Sequence, residues 1–558
     1  MSSTSSPSVY LCYDIRGIQQ FIFSVPKLKY VVGASALICQ FDEEHVGRAI
    51  DALQGSPAEL IFSGGGRGTI RCDSPGTAER LKQSLVTKAH RLGLDLRVGI
   101  DPDIGKALRE AEELYPFVPD SLEGEPCRAS GLWPITLERS AGFASGRAPK
   151  GIHPKVWLRR THAVERNGSQ RRDALGNRII EALRDRLPDD LTSRPLTFFT
   201  LVKDDEELEG EQREAGRAAE RALGRRNRWA VLAMDGNDMG AQFRAFGQHD
   251  REETERWLTS MSRTLKQCTW EALVEALAEV VAKWWNDEGR HDVPAVTNRV
   301  TGEVVLPFRP LIAGGDDVLC LSHCAYAMPL AIGISRKFTD KSAAAENADR
   351  LWPATGGRLT ISGGIAYTSV NLPLYSSIPY AESLLASAKG GYRRHKPDGR
   401  PTPAALDWEH ITESMLDTPA ARRNRDLRFQ DADCQDVEIV LTRRPYAIDS
   451  ELESLLQLQD RLAALPRSLL AEALHQFARP WSDRVRWLVS TMKHHRQLDQ
   501  WLREWPKDGG TWDLGSTWRW EEEPAEDGTG GRRSTSFIDA VLLLEERHRM
   551  TQRQPETV

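Results

Sequence analysis

The chain has 558 residues, 40% hydrophobic and 28% charged, which suits roughly three to five soluble globular domains. Its net charge of -6, from 74 basic and 80 acidic residues, argues against a protein that coats nucleic acid through bulk charge. No apolar run approaches a membrane span, and the Ser-rich start, Met1 to Pro7, lacks the charged-then-apolar pattern of a leader.

In chain order, Val9 to Tyr13 reads as a strand ending at Asp14. A helical stretch from Ile18 to Ile38, interrupted at Pro26, follows it. Leu60–Phe62 and Thr69–Ile70 flank Gly64-Gly65-Gly66, a hairpin pattern, and Leu94 to Ile100 can supply a further strand. From about Asp101 to Asn227 the sequence mixes Pro, Gly and basic residues, as in Lys150 to Lys155. Its second half, Asp204 to Arg226, reads as a solvated helix.

A second α/β unit is clearer. Trp229 to Met234 is a buried strand ending at Asp235, with a turn over Gly236 to Gly240. A long amphipathic helix is expected from about Glu255 to Trp285. Leu311–Ala313 and Val318–Leu321 form two short strands around Gly314-Gly315-Asp316-Asp317. Leu359 to Ala366 is another strand, and Ala381 to Lys389 a short helix. From about Ile411 the chain reads as all-helical. Leu452, Leu455, Leu456 and Leu462 recur at helical spacing, and Ser536 can cap a last helix through Val541 and Leu544.

The two α/β units share a plan: a strand ending in Asp, a helix, then a glycine hairpin. This reads as an internal duplication. The first hairpin continues into Arg67 and cannot hold a divalent metal as the second can. The eight cysteines form no Cys-x-x-Cys pair, so a zinc ribbon is not expected, and they read as idle thiols.

Metal-assisted nucleotidyl transfer needs carboxylates that converge on two divalent ions. Asp235 at a strand end and Asp316-Asp317 at a hairpin tip converge if their strands are neighbours. Gly314 and Gly315 allow a positive-φ turn and let a phosphate approach the backbone, and Gly236 leaves a carbonyl open to a metal. By itself Gly-Gly-Asp-Asp fits a solvated hairpin as well as a catalytic turn. The pairing with Asp235, in this chain order, is what favours catalysis.

Arg309 to Leu319 resembles the hairpin of the large polymerase/cyclase subunit of type III CRISPR effector complexes. Met234 to Gly240 is similar to that family's first palm motif, and Asp14 to Phe23 with Gly33-Ala34-Ser35 to the opening of its first palm. Ser362 to Ala366, Pro373-Leu374, Ala381 to Lys389 and Thr442 to Tyr446 follow in the family order, closest to the Cmr-type branch.

The resemblance implies an α+β chain. Its parts are a degenerate ferredoxin-like palm at 1–110, an inserted mostly helical module without a zinc site at 111–226, a second palm with the active site at 227–410, and an all-helical C-terminal domain at 411–558. It implies that two ATP molecules meet between the palms and become cyclic oligoadenylates when target RNA binds. Asp235, Asp316 and Asp317 carry over as catalytic residues and ligands of two Mg2+ or Mn2+ ions, to which the open Gly236 carbonyl adds a further ligand. Gly314, Gly315, Gly64, Gly65, Gly66 and Lys389 carry over as nucleotide contacts. An ordinary solvated helix lysine explains Lys389 equally well.

The implied partners are ATP, the other effector subunits, guide RNA and target RNA, with no membrane, in the cytoplasm. Three departures stand out. The first palm starts near Met1, leaving no room for the family's HD nuclease; His249-Asp250 and His291-Asp292 are read as chance pairs. The zinc site of many relatives is not expected. Asn237 stands where relatives often have an acid, with Asp238 beside it as a possible helix cap. A scaffold subunit that makes nothing, or a palm cyclase with another cyclic product, are the competing readings.

Overall fold

The computed structural model describes residues 8–25, 28–53, 58–113, 166–167, 170–171, 174–199, 211–223, 228–246, 251–393, 399–411, 417–430, 437–463, 465–477, 520–524 and 531–551, with isolated positions between them. Pro26, Lys150 to Lys155, and His249-Asp250 fall outside these residues. The chain divides into two compact units. One comprises Met1–Ile361, Tyr367–Pro379 and Pro397–Pro401; the other comprises Ser362–Ala366, Tyr380–Lys396 and Thr402–Val558.

In the first unit, β1 (Val9–Arg16), β2 (Ala58–Gly64), β3 (Arg67–Cys72) and β4 (Asp95–Asp101) form an antiparallel sheet in the order β2-β3-β1-β4. Helices Ile18–Phe23 and Leu28–Gln40 follow β1, and helix Pro75–Leu92 joins β3 to β4. This β-α-β-β-α-β order is ferredoxin-like. The sheet is central because β1 is apolar on both faces: Leu11 and Cys12 have no solvent exposure.

The same unit contains β5 (Arg228–Gly236), β6 (Phe308–Gly314) and β7 (Asp317–Ser322), in the order β6-β7-β5. This repeats the β2-β3-β1 order. The likeness reaches the register. Gly64 pairs with Arg67 and Gly314 with Asp317, and each first strand slips register at the same distance before its glycine, between Leu60 and Phe62 and between Pro310 and Ile312. The expected long helix runs over Arg251–Asp287 and packs on helix Cys324–Ala343, the fully buried Leu277 and Val281 supplying its apolar face. Helices Ala174–Arg184 and Glu211–Ala222 lie between the two sheets in the chain, together with strand Leu196–Phe198, which pairs in parallel with Val304–Leu306.

The second unit corrects one expectation. The C-terminal part is not all-helical: Arg428–Gln430, Val437–Val440, Gly531–Thr535 and Trp520–Pro524 form a four-stranded sheet in that order. The β-branched run Val437 to Val440 and the glycine-rich gap before Gly531 are strand and turn signals. Flanking leucines at helical spacing masked them. Those leucines do form helix Leu452–Leu462, and the last helix, Phe537–Thr551, starts directly after Ser536. The Thr442 to Tyr446 motif is a structural clamp. Asp539 is fully buried, accepts hydrogen bonds from the Thr442 and Tyr446 hydroxyls at 2.8 and 2.7 Å, and pairs with Arg444 Nε at 3.0 Å.

Among the described residues no helix is long and apolar enough to cross a membrane.

Candidate active site

β5 and β7 are antiparallel neighbours, with Met234 opposite Val318. One step further along, Asp235 is the last residue but one of β5 and Asp317 begins β7. Asp235, Asp316 and Asp317 each bring a carboxylate oxygen within 4.8 Å of the other two. The convergence expected from the sequence is therefore present. Asp317 is exposed, Asp235 and Asp316 half-buried. Three hard carboxylate oxygens at this spacing suit Mg2+ or Mn2+, whose preferred ligands are oxygens.

Gly236 fits closely beneath them. A Cβ there would stand 2.9 Å from Asp316 Cβ and 3.0 Å from its Oδ2, so only glycine leaves that carboxylate its place. At the hairpin tip only Gly315 has positive φ, +61°. Gly314 does not, contrary to expectation, because it remains in strand pairing with Asp317. Its bareness serves approach instead: a Cβ on Gly314 would lie 3.7 Å from the Gly65 nitrogen. The two glycine hairpins thus face each other, main chain to main chain.

The first hairpin is built on the same frame with different chemistry. Gly65 and Gly66 have positive φ, +63° and +79°. The Gly66 N–H donates to Asp42 Oδ2 at 2.8 Å, and the Tyr13 hydroxyl donates to Asp42 Oδ1 at 3.0 Å. Burial, the largest influence, pushes the Asp42 carboxyl up to about 6 against the pull of these donors and of Lys266. Ser35, in the Gly33-Ala34-Ser35 stretch, donates to the Leu311 carbonyl beside the second hairpin.

Asn237 and Asp238 sit in the turn that follows β5. The Asn237 amide donates to Thr360 Oγ1 at 2.9 Å and its N–H to the Thr360 carbonyl at 2.8 Å, which leaves Asn237 almost wholly buried. Asp238 takes positive φ, +63°, and its main-chain carbonyl accepts the Ala241 N–H at the start of helix Met239–Phe246. Lys389 lies on helix Leu374–Arg393, in the second unit.

A family model for the second palm domain of Cas10/Cmr2 matches residues 228–396. The chain carries a Cas10-type second palm. The large type III CRISPR effector subunit named from its motifs is the family so matched. No curated protein matches the chain. Among solved structures it is similar to Csm1 of T. onnurineus, with 14% identity and a TM-score of 0.49, over 96% of this chain and 70% of that one. It is also similar to a Csm1–Csm4 cassette in complex with AMPPNP (15%, TM-score 0.47, 98% and 70%) and to one in complex with cA4 (15%, 0.46, 96% and 70%).

Sequence reasoning missed Asp42, Lys266 and Thr269 around the palm's hairpins. Single polar residues on helices carry no spacing signal; the packing of the long helix against both tips reveals Lys266 and Thr269, and the bonds from Gly66 and Tyr13 reveal Asp42.

Proposed function

We propose that this chain converts ATP into cyclic oligoadenylates by 3′–5′ phosphodiester formation, within a type III CRISPR effector complex activated by target RNA. The observation that carries the reading is the convergence of Asp235, Asp316 and Asp317 at the tip of a bare glycine hairpin, inside the stretch matched by the second-palm family model. In the reaction the 3′-oxygen of one ATP bonds to the α-phosphorus of another, the α–β bridging bond breaks, and pyrophosphate leaves. Divalent ions, when bound, supply charge neutralisation at that phosphate and a more acidic attacking hydroxyl.

The chain's own residues do the rest. Asp235, Asp316 and Asp317, with the Gly236 carbonyl, would hold Mg2+ or Mn2+. Gly314 and Gly315 let the phosphates lie against the backbone. Gly64, Gly65 and Gly66 form the facing wall for the second nucleotide, and Lys389 contacts a triphosphate. The accompanying layout is a first palm at 1–110, an inserted module at 111–226, a second palm at 227–410 and a mixed C-terminal domain at 411–558. Other effector subunits, guide RNA and target RNA are the partners, in the cytoplasm.

The test is chromatography of products from the assembled complex with target RNA, ATP and Mg2+ or Mn2+. Cyclic adenylates and pyrophosphate are expected, and Asp316→Ala with Asp317→Ala should abolish both while the protein melts as before. Undiminished product from that double variant would overturn the assignment. A complex that binds no ATP would point to a silent scaffold, and a mixture of all four nucleotides reveals any other cyclic product.

A further inference from the structure

Lys266 and Thr269 stand three residues apart on the long helix Arg251–Asp287, and therefore share a helix face. Thr269 Oγ1 donates to the Gly315 carbonyl at 2.7 Å. Lys266 lies over Gly64, where a Cβ would come within 2.3 Å of its Cε and 2.7 Å of its Nζ. One turn of helix thus touches the tips of both hairpins. In front of those tips the space is open: a Cβ on Gly65 or Gly315 would meet nothing within 4 Å.

The Lys266 ammonium is half-buried and 5.6 Å from the Phe62 ring centroid. Among the described residues it makes no hydrogen bond and no ion pair. The acids that act on it through space are engaged elsewhere. Asp42 accepts from Gly66 and Tyr13, and Glu43 pairs with Arg178, whose own charge also reaches Lys266. A cation partly withdrawn from water beside an aromatic ring carries a desolvation cost that an arriving anion relieves. Gly64 is bare at the point where the amine lies, so the amine rests directly against the backbone of the first hairpin.

Resting on the nucleotidyltransferase reading, we propose that Lys266 binds the phosphates of the nucleotide held against the Gly64–Gly66 hairpin. A helix of the second palm thereby neutralises substrate charge at the first palm. The metal-holding acids and this lysine then serve different nucleotides across one cleft.

The test is calorimetry of the full chain with Mg2+ and three probes: ATP, inorganic tripolyphosphate and adenosine. Lys266→Met, which keeps the apolar stem, should weaken ATP and tripolyphosphate about tenfold or more, the loss expected for one charge-assisted contact. Adenosine affinity should not change, and Lys266→Arg should restore most of the loss. Two results would overturn the proposal: Lys266→Met binding ATP as tightly as the unsubstituted chain, or losing adenosine and ATP equally, which would make the lysine a mere spacer. Either leaves the catalytic reading standing if Asp316→Ala with Asp317→Ala still abolishes product. An assembled complex that bound no ATP would remove both.

Discussion

Arg67 Nε lies 2.9 Å from Asp14 Oδ1, across the register pair that joins β3 to β1. At the matching position of the second sheet an acid, Asp317, stands beside another acid, Asp235. Arg16 Nε closes on the other Asp14 oxygen at 3.0 Å. One hairpin gathers carboxylates, and the other pairs its single carboxylate with arginines. The duplication is therefore symmetric in backbone and asymmetric in charge.

Metal binding should map to the second hairpin alone. In a Mn2+ titration followed by electron paramagnetic resonance, Asp235→Asn should lower the number or affinity of bound ions. Asp14→Asn should leave both unchanged. Because Asp14 is almost wholly buried and Arg67 more than half exposed, Asp14→Asn should destabilise the chain by about 1–3 kcal/mol and Arg67→Ala by about 1 kcal/mol or less.

Gly236→Ala tests the fit beneath the acids. The new methyl meets Asp316 Cβ at 2.9 Å and must push that carboxylate aside. Catalytic turnover should fall by roughly tenfold to a hundredfold, as for small displacements of a positioned group, and the melting temperature should move little. Unchanged turnover would show that Asp316 has room to spare.

Asp42 gives the first hairpin a pH dependence. Facing it are Lys266, Glu43, the Tyr13 hydroxyl and the Gly66 N–H. Its native pKa, about 6, lies above its ordinary value of 3.8, so the native state holds more protons between those values. Its stabilising contribution is complete below about pH 4 and is lost as pH rises through about 6, by at most about 1.4 kcal/mol per pH unit. Asp42→Asn should flatten the denaturation profile between pH 4 and 6. An unaltered profile would place the proton elsewhere.

In the second unit, Asp539→Ala should be severe. It strands the buried Arg444 and removes the acceptor of two buried hydroxyls, a loss of about 3–5 kcal/mol by chemical denaturation. Asp539→Asn, which retains one acceptor oxygen but not the charge, should cost less.

The local chemistry was legible in the order of residues. Alternating and unbroken apolar runs gave β1 and β5, helical spacing gave the Arg251–Asp287 helix, and glycine clusters gave both hairpins. These signals are short-range, so chain order alone carries them. Asp235 with Asp316 and Asp317 was legible too, because strand-end and turn positions fix where side chains can point. The C-terminal sheet was not legible, since its partners Val437–Val440 and Gly531–Thr535 are far apart in the chain and the helical leucines between them are the louder signal.

The fold in three dimensions settled which groups meet across distance. It set Gly314 against Gly65, turned Asn237 to Thr360, and laid Lys266 over Gly64. Each of these depends on how one packed element lies on another. Packing is a property of whole surfaces, which no spacing of residues along the chain encodes.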